Sequence, residues 1–565
     1  MTSGGANQAG REMRMAQDKG GPSSRRASAR RNLSAAQSGG TSGESLPAMP
    51  GDPQPLARSP IWQWQRDYYA VRGSHAWRDG EVPHYVTSNP TMANAYAEIL
   101  FAFRRDLARR GNCDEPLHVC EIGGGSGRFA FHLLRRLAEL CDEAGLARTA
   151  FRYILTDIAP ANLDFWRAHP CFHSFFEDGM LEVARFDLMR PDELALEVGG
   201  TMIGEGSLDR PLVAIANYVF DGVPQDLFHV GAGRCLQCLA SLSVEGDPGS
   251  LDAAELLDRL RIDFANTPVQ PVYAEPELQR ILEDYRERLA GTYLLFPAPS
   301  LRGIRFLSGL SRNGLLLLSA DLGEHRLEGL DGHGPPNPAR HGSISLPVNY
   351  HAFIRFCEAA GGLALTPERP HDSIDVIGLL MVADAEHHHE TRRAYRDHVQ
   401  AFGPDDFFSI TRRARAAIPQ MSAGDILAHL RLGRYDSHLF GRCLPRLIEL
   451  AGDFDPPTGA AIREAADAAW AQYFPLGEEL DLASGIAALL YAMDDHVGAL
   501  AYFERSAAIY GRDTGTLYNM ACCLHLLGRD AEAAAALELV LRHDPGNAEA
   551  RTLLSVCASA PDGAE

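Results

Sequence analysis

The stretch Leu117–Phe129, reading L-H-V-C-E-I-G-G-G-S-G-R-F, constrains the fold more than any other part of the chain. A short apolar run closes on Glu121, and glycines follow at alternate positions, Gly123, Gly125 and Gly127. Behind them, Phe129-Ala130-Phe131-His132-Leu133-Leu134 reads as the first turns of a helix. Strand, glycine turn and helix in that order make a loop for a nucleotide-type cofactor. Glycine is needed there because the backbone turns with positive φ and a ligand approaches where a Cβ would stand.

From this loop onward the pattern alternates strand and helix, as a parallel α/β sheet requires. Strands are expected at 117–122, 151–156, 181–186, 212–216 and 314–320, with the tail of the sheet at 363–366 and 376–382. Helices are expected at 129–141, 162–168 and 351–360. The strand ends carry Glu121, Asp157, Asp187, Asn217 and Asp321, which places one polar group after another along one edge. That edge is where an open parallel sheet binds its ligand. Before the loop, a turn-rich segment, Gly80–Pro90, leads into a helix with Thr91 or Ser88 as its cap. The apolar positions of that helix include Met92, Tyr96, Ile99, Leu100 and Phe103.

A chain of 565 residues exceeds one ordinary core, so two or three domains are expected. Residues 1–58 are rich in Gly, Ser, Ala and Arg and poor in large apolar side chains, and are expected to form a disordered tail. Residues 59–410 form the α/β domain, with order beginning near Ile61. Residues 411–565 turn to alanine- and leucine-rich helices. In this last region Ala487, Ala499 and Phe503 recur as Ala521, Ala533 and Leu537, with Pro545 ending the second unit. The spacing resembles the 34-residue tetratricopeptide pattern, in which small residues let two antiparallel helices pack closely. Helices over 426–450 and 460–474 are degenerate partners of these units, and 548–557 is a capping helix.

The formal net charge of −21 and a single lysine, Lys19, argue against a nucleic-acid partner, which needs clustered cations. No apolar run reaches the ~18–20 residues of a membrane-spanning helix, so no membrane role is expected. Eleven scattered cysteines fit a reducing cytoplasm better than a disulfide framework. Cys235-Leu236-Gln237-Cys238 stands alone in an alternating run and reads as core packing, not a metal site. Glu386-His387-His388-His389-Glu390 reads as a solvated helix start, because consecutive helical residues point in different directions. No metal ligands are assigned. His84 and His351 are open between lining a pocket and a structural role.

The loop itself excludes some ligands. A P-loop needs Gly-Lys-Ser/Thr, and Arg128 follows Gly127 here. A dinucleotide fingerprint wants a small residue at position 128, where an arginine disfavours close helix–strand packing. Glu121-Ile122-Gly123-Gly124-Gly125-Ser126-Gly127 resembles the E/D-x-G-x-G-x-G motif of class I methyltransferases. That resemblance implies S-adenosyl-L-methionine as cofactor and a Rossmann-like α/β domain. It implies cofactor binding by Glu121, Gly123, Gly125 and Gly127, by Asp157 on the ribose diol and by Asp187 on the adenine. An acid at the strand end suits the ammonium of this cofactor, and glycines let its methionine part lie against the backbone.

Further segments narrow the resemblance. Gly80–Ser88, with Tyr85-Val86-Thr87-Ser88, is similar to the G-D-[FY]-x-T-S segment of the MidA family of methyltransferases. Asn217-Tyr218-Val219-Phe220-Asp221-Gly222-Val223-Pro224 resembles its N-E-x-x-D-A-L-P, Leu318–Gly323 its L-x-x-D-Y-G, and Val348-Asn349-Tyr350 its H-V-D-F. The resemblance covers about residues 80–410 and not the repeats. It implies catalytic roles for Asp221, Asn217 and Tyr218, and substrate contacts from Tyr85, Thr87, Ser88 and Asp321. Two departures stand out: Gly124 replaces the family's proline, and Tyr218 replaces the glutamate after the asparagine. The resemblance implies an arginine acceptor, since one branch of the family methylates an arginine; a guanidinium is held and deprotonated best by carboxylates, so Tyr218 puts arginine methylation in question. The expectation is methylation of a protein or peptide recruited in part by the repeats. The alternatives are methylation of a small molecule, and a cofactor-binding scaffold with little catalysis.

Overall fold

The computed structural model describes residues 52–559, apart from 79–81, 83–84, 112–114, 269–271, 372 and 479. His84 and most of the expected tail therefore lie outside the described residues. The last residues of that tail are ordered, contrary to expectation. Gln54–Pro55 pairs antiparallel with Arg234–Val244, and Leu56 is buried, its carbonyl accepting from the Trp62 indole at 2.7 Å. Helix α1 (Ile61–Arg72) then begins where expected.

Helix α2 (Pro90–Ala108) is capped by Asn89, not Thr91 or Ser88: the Asn89 side chain accepts from the Met92 N–H, with Pro90 pre-set at the first position. A seven-stranded sheet follows. Its strands are β1 (Leu117–Glu121), β2 (Phe151–Asp157), β3 (Leu181–Arg185), β4 (Leu212–Asn217), β5 (Leu315–Asp321), β6 (Leu363–Leu365) and β7 (Asp375–Met381). Their spatial order is β6-β7-β5-β4-β1-β2-β3. Pairings from β5 through β3 are parallel, while β7 lies antiparallel between β5 and β6. Every residue of β5 and all but the last of β4 are buried, as both faces of a parallel sheet must be covered.

Helices cover both faces. Helices α2, α3 (Arg128–Glu143) and α4 (Pro160–Ala168) bury one set of strand side chains, including Val119, Tyr153, Leu155 and Ile215. The alternate set, Cys120, Ile154, Ala214 and Leu317, packs on the opposite face, where α5 (Tyr350–Ala359) contributes Phe353 and Phe356. The chain between β4 and β5 forms a separate antiparallel sheet, from Asp226–Gly231, Arg234–Val244, Leu260–Pro268 and Thr292–Phe296. Cys235 and Cys238 lie on its longest strand and pack into different cores.

The boundary expected at 410 falls inside a helix, Pro404–Ala414. The expected single helix over 426–450 is two, Ala423–Leu432 and Ser437–Leu450. Arg434 and Tyr435, both at positive φ, turn the chain between them. Beyond them α6 (Leu482–Ala492), α7 (His496–Tyr510), α8 (Thr514–Leu526), α9 (Asp530–His543) and α10 (Ala548–Ser559) stack in sequence. Ala487, Ala499, Phe503, Ala521, Ala533 and Leu537 are all fully buried in one core, so the repeat seen in the sequence is the packing repeat. Among the described residues no helix is long and apolar enough to cross a membrane.

Candidate functional site

The strand order reverses between β1 and β4, and the crevice at their C-terminal ends is where such a sheet binds a ligand. A cavity of about 470 Å³ opens there. Its floor is the glycine loop. Gly123, Gly125 and Gly127 have φ of +67°, +54° and +77°, a conformation that side chains resist. The Gly124 N–H donates to Thr156 O at 2.8 Å, and the Gly125 carbonyl accepts from the Trp166 indole at 3.1 Å. Glu121, Gly123, Gly125, Asp157 and Asp187 all line the cavity, as do Thr87, Ser88, Asn217 and Tyr218. Gly127 does not; it makes room beneath the loop, where a Cβ would come 2.9 Å from Trp166.

The acids differ in state. Burial pushes the Glu121 carboxyl up to about 8, although the Tyr153 hydroxyl donates to it at 2.7 Å. Asp157 is also raised by burial, while N–H groups of Gly125 and Ala159 and the Asn162 amide donate to it. Asp187 is paired through both oxygens with Arg66 at 3.1 and 2.5 Å. Burial works against its charge, but that pair outweighs it and holds the carboxyl below the usual range. Asp187 is thus committed to α1, and its expected contact with adenine competes with a bidentate ion pair.

Asn217 ends β4 with its Oδ1 accepting from the Tyr96 hydroxyl at 2.9 Å and the Ala320 N–H at 3.1 Å. A backbone N–H only donates, which fixes the amide orientation. The buried Nδ2 has no hydrogen-bond partner among the described residues, a spare donor on a residue that lines the cavity. Tyr218 follows at φ +52°, a strained conformation for an aromatic residue, with its N–H donating to Ala320 O.

Three expected site residues are placed elsewhere. Asp321 is fully buried, and its oxygens accept from the N–H groups of Phe220, Asp221 and Leu322. It caps the turn Phe220–Gly222 and does not line the cavity. Asp221, on that turn, is directed toward Ser345 and sits behind the wall, its carboxyl pushed up to about 6 by burial. The expected contact of Asp221 with an acceptor is therefore corrected. Tyr85 turns away as well: its hydroxyl donates to Asp436 at 2.8 Å and its ring meets Phe408 and His438, in contact with the C-terminal helices. His351 accompanies Tyr285 at 2.8 Å, also off the cavity. His388, expected in solvent, is buried against Phe103.

The roof of the cavity was not foreseen. Trp62, Gln65, Arg66 and Tyr69 of α1, and Trp77 beyond it, all line it. Trp77 stacks on Tyr69 and lies so close to the loop that a Cβ on Gly125 would meet it at 2.8 Å. The concentration of tryptophan and tyrosine over 62–77 was the available signal.

Residues 490–557 match the tetratricopeptide repeat family. No curated protein matches the chain. Two solved structures from Burkholderia thailandensis are similar to it. One, a COG1565 superfamily member bound to S-adenosyl-homocysteine, shares 17% identity over 57% of this chain and 81% of its own, with a TM-score of 0.31. The other, an uncharacterized COG1565 superfamily protein, shares 15% over 61% of this chain and 97% of its own, with a TM-score of 0.32. By its strand order the first domain has the Rossmann-like class I methyltransferase fold, and tetratricopeptide-like helices follow it.

Proposed function

We propose that the protein is a class I methyltransferase using S-adenosyl-L-methionine. The observation that carries this reading is the glycine loop with Glu121 and Asp157 at adjacent strand ends, all three lining one cavity at the sheet's switch point. Glu121 would hold the ammonium, the glycines the methionine part and Asp157 the ribose diol. The S-adenosyl-homocysteine held by the similar Burkholderia protein is in keeping with this assignment. When bound, the cofactor supplies a methyl group on a sulfonium. The chain's own part is to align an acceptor behind that methyl group and exclude water under Trp62 and Trp77. Asn217 Nδ2 would donate to the acceptor, and Tyr218 would wall it.

We assign the acceptor to a protein or peptide brought in part by the repeats. A small-molecule acceptor is the second reading, favoured by the roof that α1 places over the cavity. Isothermal titration with S-adenosyl-L-methionine tests the cofactor: wild type binds, and Gly125→Arg, blocked by φ and by Trp77, does not. No binding by wild type would sink the proposal. Radiolabelled methyl transfer in lysate fractions separates the acceptors by whether label enters protein or small molecules.

A further inference from the structure

A second polar cluster lies on the same sheet edge, outside the cavity. His325 follows β5, His371 lies between β6 and β7, and Asp375 opens β7 opposite Asp321. Asp375 is fully buried, and the side chains of His325 and His371 are only 6% and 15% exposed. His325 Nδ1 lies 2.6 Å from Asp375 Oδ2. His371 Nε2 lies 3.1 Å from the Gly323 carbonyl, which can only accept, so this nitrogen carries the ring proton. The other ring nitrogen, Nδ1, lies 3.9 Å from Asp375 Oδ1. Neither atom has a hydrogen-bond partner among the described residues.

Two buried polar atoms left without partners at this separation call for a bridging cation, a ring proton or a metal ion. One ligand atom from each of the three residues lies within 4.8 Å of the others, a spacing that closes around one ion. The Gly323 carbonyl does what such carbonyls do for metal-bound histidines, fixing tautomer and ring direction. Two imidazoles and one carboxylate suit a first-row divalent ion of the zinc class.

We propose that His325, His371 and Asp375 form a divalent transition-metal site that clamps the segment after β5 to the start of β7. The site is a positioning device. By holding these two segments it steadies Asp321, which caps the turn behind Asn217 and Tyr218.

The test is titration of the metal-free full-length protein with Zn²⁺ by calorimetry and with Co²⁺ by visible absorption. One equivalent of Co²⁺ is expected to bind with a ligand-field spectrum of nitrogen and oxygen donors. His371→Ala, at the least buried ligand, is expected to fold as wild type and to weaken binding by at least the ~10–100-fold that loss of an outer-shell partner costs. Cys557→Ser, at a second His/Asp/Cys cluster with His525 and Asp530, is expected to bind as wild type. Failure of wild type to bind either ion overturns the proposal. So does unchanged binding in His371→Ala, or loss of binding in Cys557→Ser. A doubly protonated His371 ring in the metal-treated protein, read by nitrogen NMR, also overturns it.

Discussion

At the scale of single residues, the cavity's chemistry rests on groups held in unusual states. Glu121 has its carboxyl raised to about 8 by burial, and pairing with an ammonium requires the carboxylate. Binding at pH 7 should therefore expel a proton, and affinity should rise with pH from 6 to 8. Calorimetry in buffers of different ionisation enthalpy reads this directly, and Glu121→Gln should abolish the proton release. The stability sign runs the other way. A raised carboxyl favours the folded state below its unfolded value, near 4.3–4.5, and that contribution is lost as pH rises through about 8. The cofactor-free protein should lose stability over that interval in denaturant melts, and Glu121→Gln should flatten the slope. At Asn217 the prediction concerns turnover. Asn217→Ala removes the unpartnered donor and should lower kcat by about 10- to 100-fold, the ~1.5–3 kcal/mol of one hydrogen bond to a charged group. Cofactor affinity should stay as in wild type; a matching loss in both would make Asn217 part of the cofactor site.

At the scale of elements, α3 joins the two halves of the molecule. Its first residue, Arg128, is buried, and the guanidinium donates to Glu478 at 2.5 Å and to Phe474 O at 3.4 Å. The Phe474 ring stacks on His169 at 3.9 Å and meets Phe131 and Phe172, each at 5.3 Å. The segment before the repeats is therefore seated on the helix that springs from the glycine loop. Phe474→Ala should cost about 3–5 kcal/mol. It should also raise hydrogen exchange across α3 and weaken cofactor binding; normal exchange there would mean that the contact does not reach the loop. None of this was legible in the sequence, because Arg128 and Phe474 are 346 residues apart and follow no period. The strands were legible for the opposite reason. Central parallel strands are buried on both faces, so 212–216 and 315–318 stand out as unbroken apolar runs, the strands closing at Asn217 and Asp321. The polar residue types at those ends were readable, but their directions were not. Asp321 looked like a site residue and became a cap because the chain turns back at Phe220–Gly222.

At the scale of the whole molecule, the question is whether the helical region is an attachment or part of the first domain's fold. The repeat signal describes the internal packing of α6–α10 and is silent on what that stack leans against. The structure seats its approach, residues 472–478, on the first domain. Gln472 meets His132 at 3.1 Å, and the Pro475 carbonyl accepts from His169 at 2.9 Å. Phe474 and Leu476 belong to the same core as Phe131, Phe151 and Phe172. Removing these residues uncovers a contiguous aromatic face on a domain whose stability, like that of most domains, is only about 5–15 kcal/mol. A fragment spanning 52–415 should then bind a hydrophobic dye, aggregate on concentration and bind S-adenosyl-L-methionine more weakly than the full chain. Supplying 416–559 as a second polypeptide should restore solubility and affinity together, because the contact is non-covalent. A 52–415 fragment that is monomeric, unfolds cooperatively and binds like the full chain would make the repeats an independent recruiting module. The expected coupling makes them more than that: anything that displaces 472–478 when the repeats engage a partner also pulls on Arg128, one residue beyond Gly127.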